Sequence, residues 1–119
     1  MGEVDVVVVL VTGPDEKTLG SLADELVGEG LAACVNLIPR IRSVYRWDGE
    51  LRRNDEAMAV IKTRRSALRA LEDAVHDLHP YDVPEFLVLP VEAGSAAYVR
   101  WVRESTTDKT TDRGPDGEE

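Results

Sequence analysis

Tyr45-Arg46-Trp47-Asp48-Gly49-Glu50-Leu51 decides how this chain folds. Asp48-Gly49 lies between strand-like flanks, and the tight turn that joins such strands needs the positive φ that Asp and Gly accept. The incoming strand runs from Leu31 to Trp47 and is bent near Pro39, which has no N–H for the ladder. The outgoing strand runs from about Leu51 through Ala57-Met58-Ala59-Val60-Ile61, with Asn54-Asp55 as an irregularity.

Outward from this hairpin the punctuation is clear. Val4 to Val11 is an almost unbroken apolar run, as in a strand covered on both faces. Pro14 and Asp15 suit a helix start, and Leu19, Leu22, Ala23, Leu26 and Val27 follow helical spacing until Gly28 and Gly30. Ser66 is placed to cap a second helix with Leu68, Leu71, Val75 and Leu78 on one stripe, which His79-Pro80 must end. Phe86 to Val91 predicts a strand, and Ser95 to Arg103 a short helix with Tyr98, Trp101 and Val102 turned inward.

The order is βαββαβ with an extra C-terminal helix, an α+β, ferredoxin-like arrangement that puts helices on one face of an antiparallel sheet. Yet Val6–Val11, Ala57–Ile61 and Phe86–Leu89 are apolar at both parities. Helices cover one face only, so the other predicts an apolar patch that a homo-oligomer would bury.

Composition bounds the function. At 119 residues the chain makes one domain, read as 1–104, followed by a disordered acidic tail at 105–119 that has no aliphatic or aromatic residue. A net charge of −9 argues against nucleic acid as a partner. No apolar run approaches the roughly 20 residues of a membrane span. The acidic start Met1-Gly2-Glu3-Val4-Asp5 and the single cysteine predict a cytoplasmic protein without a disulfide framework.

Four separated motifs carry a further resemblance. They are Ala33-Cys34-Val35-Asn36; Tyr45 and Trp47 before Gly49; Ile61-Lys62-Thr63; and His79-Pro80-Tyr81 with Val83-Pro84-Glu85, followed by Trp101 in the last helix. In this order they resemble the CutA family of divalent-cation-tolerance proteins over Val4 to Arg103. The resemblance implies a ferredoxin-like subunit in a tight trimer, similar in build to the PII signalling proteins, and a link to copper and other divalent cations. Arg40, Arg46 and Asp82 depart from the usual family wording; at Asp82 the carboxylate sits on a shorter arm than the usual glutamate.

The chemistry is read residue by residue. Cys34 offers a thiolate suited to Cu(I), completed by donors from other subunits; its plain alternative is a small buried hydrophobe. His79, near Tyr81 and Glu85 on a polar turn, is a second candidate ligand, and Glu85 a third donor. His76 shares a helix face with His79 but reads as a solvated residue. Lys62, in an apolar strand, needs a carboxylate partner or a cleft. Asn36 shares the parity of Cys34, and Trp47 at the hairpin tip reads as a clamp on a neighbouring subunit. The resemblance, more than the ligand spacing, implies a non-catalytic, cytoplasmic homotrimer that binds copper or another divalent cation at Cys34, His79 and Glu85. Asn36, Lys62, Tyr81, Asp82 and Trp47 would shape its intersubunit cleft. The rivals are a PII-like sensor of a small anionic metabolite, favoured by Lys62, Arg64 and Arg65, and a structural trimeric scaffold.

Overall fold

The computed structural model describes residues 4–107. Strand β1 (Val6–Gly13) leads to helix α1 (Glu16–Gly28), then to the long hairpin of β2 (Cys34–Trp47) and β3 (Glu50–Arg64). A 3₁₀ turn (Arg65–Ala67) runs into α2 (Leu68–Leu78), followed by β4 (Leu87–Pro90) and α3 (Ala96–Glu104). The strands form one sheet in the order β2-β3-β1-β4, antiparallel at every pairing. This is the predicted α+β arrangement with its extra C-terminal helix.

Local chemistry sets the boundaries. Asp48 and Gly49 take φ of 52° and 76°, so both central turn residues occupy the left-handed region of a primed hairpin. Asp15 caps α1 by accepting the Thr18 N–H at 2.8 Å, and Gly30 leaves the helix at φ 74°. Ser66 does not cap α2. It lies inside the 3₁₀ turn with its Oγ buried and without a partner, and Ala67 occupies the cap position with no side-chain bond. His79 turns extended (ψ 140°), the geometry that Pro80 imposes on the residue before it.

Two further expectations are corrected. Asn54 and Asp55 pair regularly with Ser43 and Arg42, and the irregularity falls on the opposite strand. Between the pairs Ile38↔Met58 and Ile41↔Glu56, Pro39 and Arg40 face Ala57 alone, which is a β-bulge. In α3 only Val102 of the three expected residues is buried; Tyr98 and Trp101 are 47% and 45% exposed and lie ring to ring at 5.5 Å. The inward stripe is Val99, Val102, Arg103 and Thr106, turned from the expected one by about one residue, or about 100° of helix. Asp5 fixes that orientation by accepting from Arg103 Nε at 3.2 Å while it pairs with Arg64 at 3.6 Å.

The core lies on one side of the sheet, where Val7, Val9, Val11, Ala57, Ala59 and Ile61 meet Leu19, Leu22 and Leu26 of α1 and Leu71 and Val75 of α2. By register the other face carries Val8 and Leu10, Met58 and Val60, Cys34, Asn36 and Ile38, and Leu87 and Leu89. Leu87 is 56% exposed, so the apolar open face expected from the two-parity strands is present. Of the expected acidic tail, Ser105 to Thr107 are described: Thr106 is buried and the Thr107 N–H donates to the Gly30 carbonyl at 2.8 Å. Residues 108–119 lie outside the described residues.

The turned stripe is testable by denaturant unfolding. Val102→Ala should cost about 2 kcal/mol, from two lost methyl groups and the space they leave. Tyr98→Ala should cost less than about 1 kcal/mol, as exposed positions do. Equal losses would restore the inward placement of Tyr98.

Candidate functional site

The bulge at Pro39-Arg40 decides which side chains meet on the open face. Before it, Cys34, Asn36 and Ile38 share that face with Lys62, Val60 and Met58. After it, Ile41, Ser43, Tyr45 and Trp47 share it with Glu56, Asn54, Arg52 and Glu50. The loop after α2 folds over the end of β1 towards these residues, and His79 holds it there. The His79 ring is buried. Its Nδ1 accepts the Tyr81 N–H at 3.1 Å, so Nε2 carries the proton and donates to the Thr12 carbonyl at 2.7 Å. The His79 and Tyr81 rings sit 4.7 Å apart at 57°.

Between hairpin and loop lies a groove of about 850 Å³. Tyr45, Trp47, Tyr81, Val83 and Pro84 form its apolar walls; Glu56, Asp82 and Glu85 supply carboxylates; Thr12, Ser43, Val44, Arg46 and Arg52 complete the lining. The Tyr81 hydroxyl donates to Glu56 Oε2 at 2.9 Å, and Tyr45 and Asn54 are hydrogen-bonded through the Tyr45 oxygen. Burial, then the bond to Glu56 and its charge, push the Tyr81 phenol up to about 12. Burial, then the charge of Glu56, also raise Glu85 above the usual carboxylate value, opposed by a hydrogen bond from Thr12.

A second polar cluster occupies the far end of the open face. Cys34 pairs across the ladder with Lys62, whose Nζ donates to Asn36 Oδ1; the Cys34 thiol approaches the same oxygen at 3.8 Å. Within one chain Lys62 has an amide partner, and of its two expected surroundings, a carboxylate or an intersubunit cleft, the carboxylate is not the one it meets there. It lies six residues along β3 from Glu56, about 20 Å at strand rise. The expected cleft residues thus divide into two groups: Trp47, Tyr81, Asp82 and Glu85 line the groove, and Asn36 and Lys62 stay with Cys34. Metal bonds span about 2.0–2.6 Å, so Cys34 of one chain does not share an ion with Glu85 of the same chain. Among the described residues no three His, Cys, Asp or Glu side chains gather as a metal-holding group. His76 is exposed on α2. Arg64, weighed as an anion ligand, is spent on Asp5 and on the carbonyls of Arg103 and Thr106 at 3.3 and 3.4 Å.

Sequence reading missed Glu56, Thr12 and Arg52. Glu56 sits in the polar run Asn54-Asp55-Glu56, and its side is legible only once the bulge is placed on the partner strand.

A family model described as CutA1 divalent ion tolerance protein matches residues 7–105. The chain belongs to the CutA1 family. It is 46% identical over 104 residues to Protein CutA of Homo sapiens, covering 85% of this chain and 58% of the human one. It therefore spans little more than half the length of that relative. With the divalent-cation tolerance protein CutA of Thermus thermophilus it is 44% identical over 99 residues, covering 83% of this chain and 96% of the relative. The solved CutA1 structure of Thermus thermophilus superposes with a TM-score of 0.84 at 43% identity, covering 86% of this chain and 99% of that one. CutA1 of Oryza sativa gives 0.85 at 42% identity, covering 89% and 97%. Among the described residues no helix is long and apolar enough to cross a membrane.

The Tyr81–Glu56 bond predicts a pH dependence. The folded chain holds the phenolic proton more tightly than the unfolded one, so this contribution is whole below pH 10 and is lost as pH rises towards 12. Thermal unfolding followed across that window should show the loss in the wild type, and Tyr81→Phe should remove that part of the slope. An unchanged slope in the variant would mean that Tyr81 is not the group responsible.

Proposed function

We propose that this CutA1-family chain is a non-catalytic, cytoplasmic homotrimer that binds divalent cations and takes copper. The observation that carries this reading is the open sheet face, apolar in its middle, with the thiol of Cys34 at one end and the carboxylates of the groove at the other. Burial against further copies of the chain removes the apolar surface from water, at about 25 cal/mol per Å². It also allows Cys34 of one subunit to meet donors that its own chain holds about 20 Å away.

The relative from Thermus thermophilus, called a divalent-cation tolerance protein, supports the cation class. Chemistry supports copper, since a thiolate suits Cu(I) whereas the Glu85 oxygens suit harder divalent ions. Cys34 is the anchoring ligand in this reading and Glu85 the oxygen donor. His79 becomes a ligand where an ion replaces the Thr12 carbonyl at Nε2 and the Nε2 proton is released to solvent. Asn36, Lys62, Trp47, Tyr81 and Asp82 then shape the two ends of the cleft.

Calorimetric titration of chelator-stripped, reduced protein with Cu(I) tests the assignment. Binding near one ion per subunit should disappear in Cys34→Ala and weaken about tenfold or more in Glu85→Gln. Weak binding unchanged in Cys34→Ala would overturn the copper reading. Sedimentation should give three subunits per particle, and a stable monomer at micromolar concentration would overturn the assembly.

A further inference from the structure

The open face is charged at both ends, and neither end holds its counter-charge. We propose that the ammonium of Lys62 from one copy of the chain is seated between Glu56 and Glu85 of the next copy. The pair rests on the assembly put forward above and supplies the contact that sets the copies in register.

Elimination leaves Lys62 as the cation. By register the cations on this face are Arg52, Lys62 and Arg64, all from β3. Arg64 is spent on Asp5 and on the carbonyls of Arg103 and Thr106, and Arg52 lies 3.7 Å from Glu50. Lys62 gives one bond, to the Asn36 amide. An ammonium has three donors, so two remain.

Glu56 and Glu85 are the anions. Both are partly buried and line one groove. Arg46 and Arg52 line it too, but among the described residues neither pairs with these two carboxylates. What acts on Glu85 is burial and the charge of Glu56, opposed by the Thr12 hydrogen bond alone. Tyr81 donates to Glu56 at 2.9 Å, which fixes that carboxylate and still leaves it acceptor sites.

Assembly makes the pairing necessary. A copy that removes Val8, Leu10, Met58 and Val60 from water covers Lys62 and the two glutamates with them. A buried charge without a counter-charge is costly, and opposite charges offset that cost where they meet. Within one chain they do not meet, because six residues of β3, about 20 Å, separate Lys62 from Glu56. The two ends are unlike, so each copy gives Lys62 to one neighbour and receives it from another, the head-to-tail contact that closes into a ring. Cys34, opposite Lys62 in the ladder, is thereby carried to Glu85 of the next chain.

Carbodiimide coupling of the full-length chain tests the contact. It joins a carboxylate to a touching amine as an amide, and the reagent takes up the water as its urea. In a mixture of unlabelled and heavy-nitrogen-labelled chains, mass spectrometry should find Lys62 joined to Glu56 or Glu85 across the two labels. In sedimentation, Lys62→Glu should raise the concentration at which the assembly dissociates about tenfold or more. Lys62→Glu combined with Glu85→Lys should recover most of that loss. Arg69→Glu, at an exposed position of α2, should change nothing. Circular dichroism checks that each variant is folded. A wild-type monomer would overturn the assembly and the pair with it. An assembled wild type that links Lys62 to other carboxylates or to none, or that Lys62→Glu does not weaken, would overturn the pair and leave the assembly standing.

Discussion

Pro39 has no N–H to give to the β2–β3 ladder, and the strand accommodates it with one extra residue: Pro39 and Arg40 together face Ala57. The open face beyond that point depends on this count. Side chains alternate with a period of two, so a slip of one exchanges every residue between the faces. Without the bulge, Arg42, Val44 and Arg46 would stand on the side of Glu56, and two guanidinium groups would lie among its carboxylates. With it, Tyr45 and Trp47 stand there instead. Arg40 and Arg42 turn to Asp55, at 2.9 and 3.7 Å. One missing donor thus decides whether Tyr45 and Trp47, or Arg42, Val44 and Arg46, share the face of Glu56.

His79 performs the complementary task on the loop. A buried imidazole is costly unless both nitrogens are satisfied, and here the Thr12 carbonyl and the Tyr81 N–H satisfy them. The two bonds join the end of β1 to a segment with no regular secondary structure between α2 and β4. Tyr81 then reaches Glu56, and Glu85 reaches Thr12. The histidine that reads in the sequence as a candidate ligand also links the end of β1 to the loop that carries Tyr81 and Glu85.

What was legible follows from the range of each cause. The hairpin at Asp48-Gly49, the α1 cap at Asp15 and the end of α2 at Pro80 are set by residues within a turn of the feature, and all three were readable. The open apolar face was readable as well, because it is a parity property of Val6–Val11 and Ala57–Ile61. The α3 stripe was misplaced because Asp5, at the other end of the chain, holds Arg103 and Arg64 and turns Val99 inward in place of Trp101. The groove was half visible: Trp47, Tyr81, Asp82 and Glu85 were named. Their neighbour Glu56 depends on a register shift in another strand. Cys34 and Glu85 lie towards opposite ends of one sheet, so the expected intersubunit cleft would join them only from different chains.

That separation has an electrostatic consequence. About 20 Å of strand lies between Lys62 and Glu56, against a screening length of about 8 Å at physiological ionic strength. The charge state of the groove is therefore barely felt at Cys34, and substitutions at the two ends should act additively in a lone chain. Assembly changes this, because a copy laid across the open face touches both ends at once. Any coupling between the thiol cluster and the carboxylate groove must then pass through the contact between subunits. The apolar middle of the sheet, built from Val8, Leu10, Met58 and Val60, is the surface that would carry it.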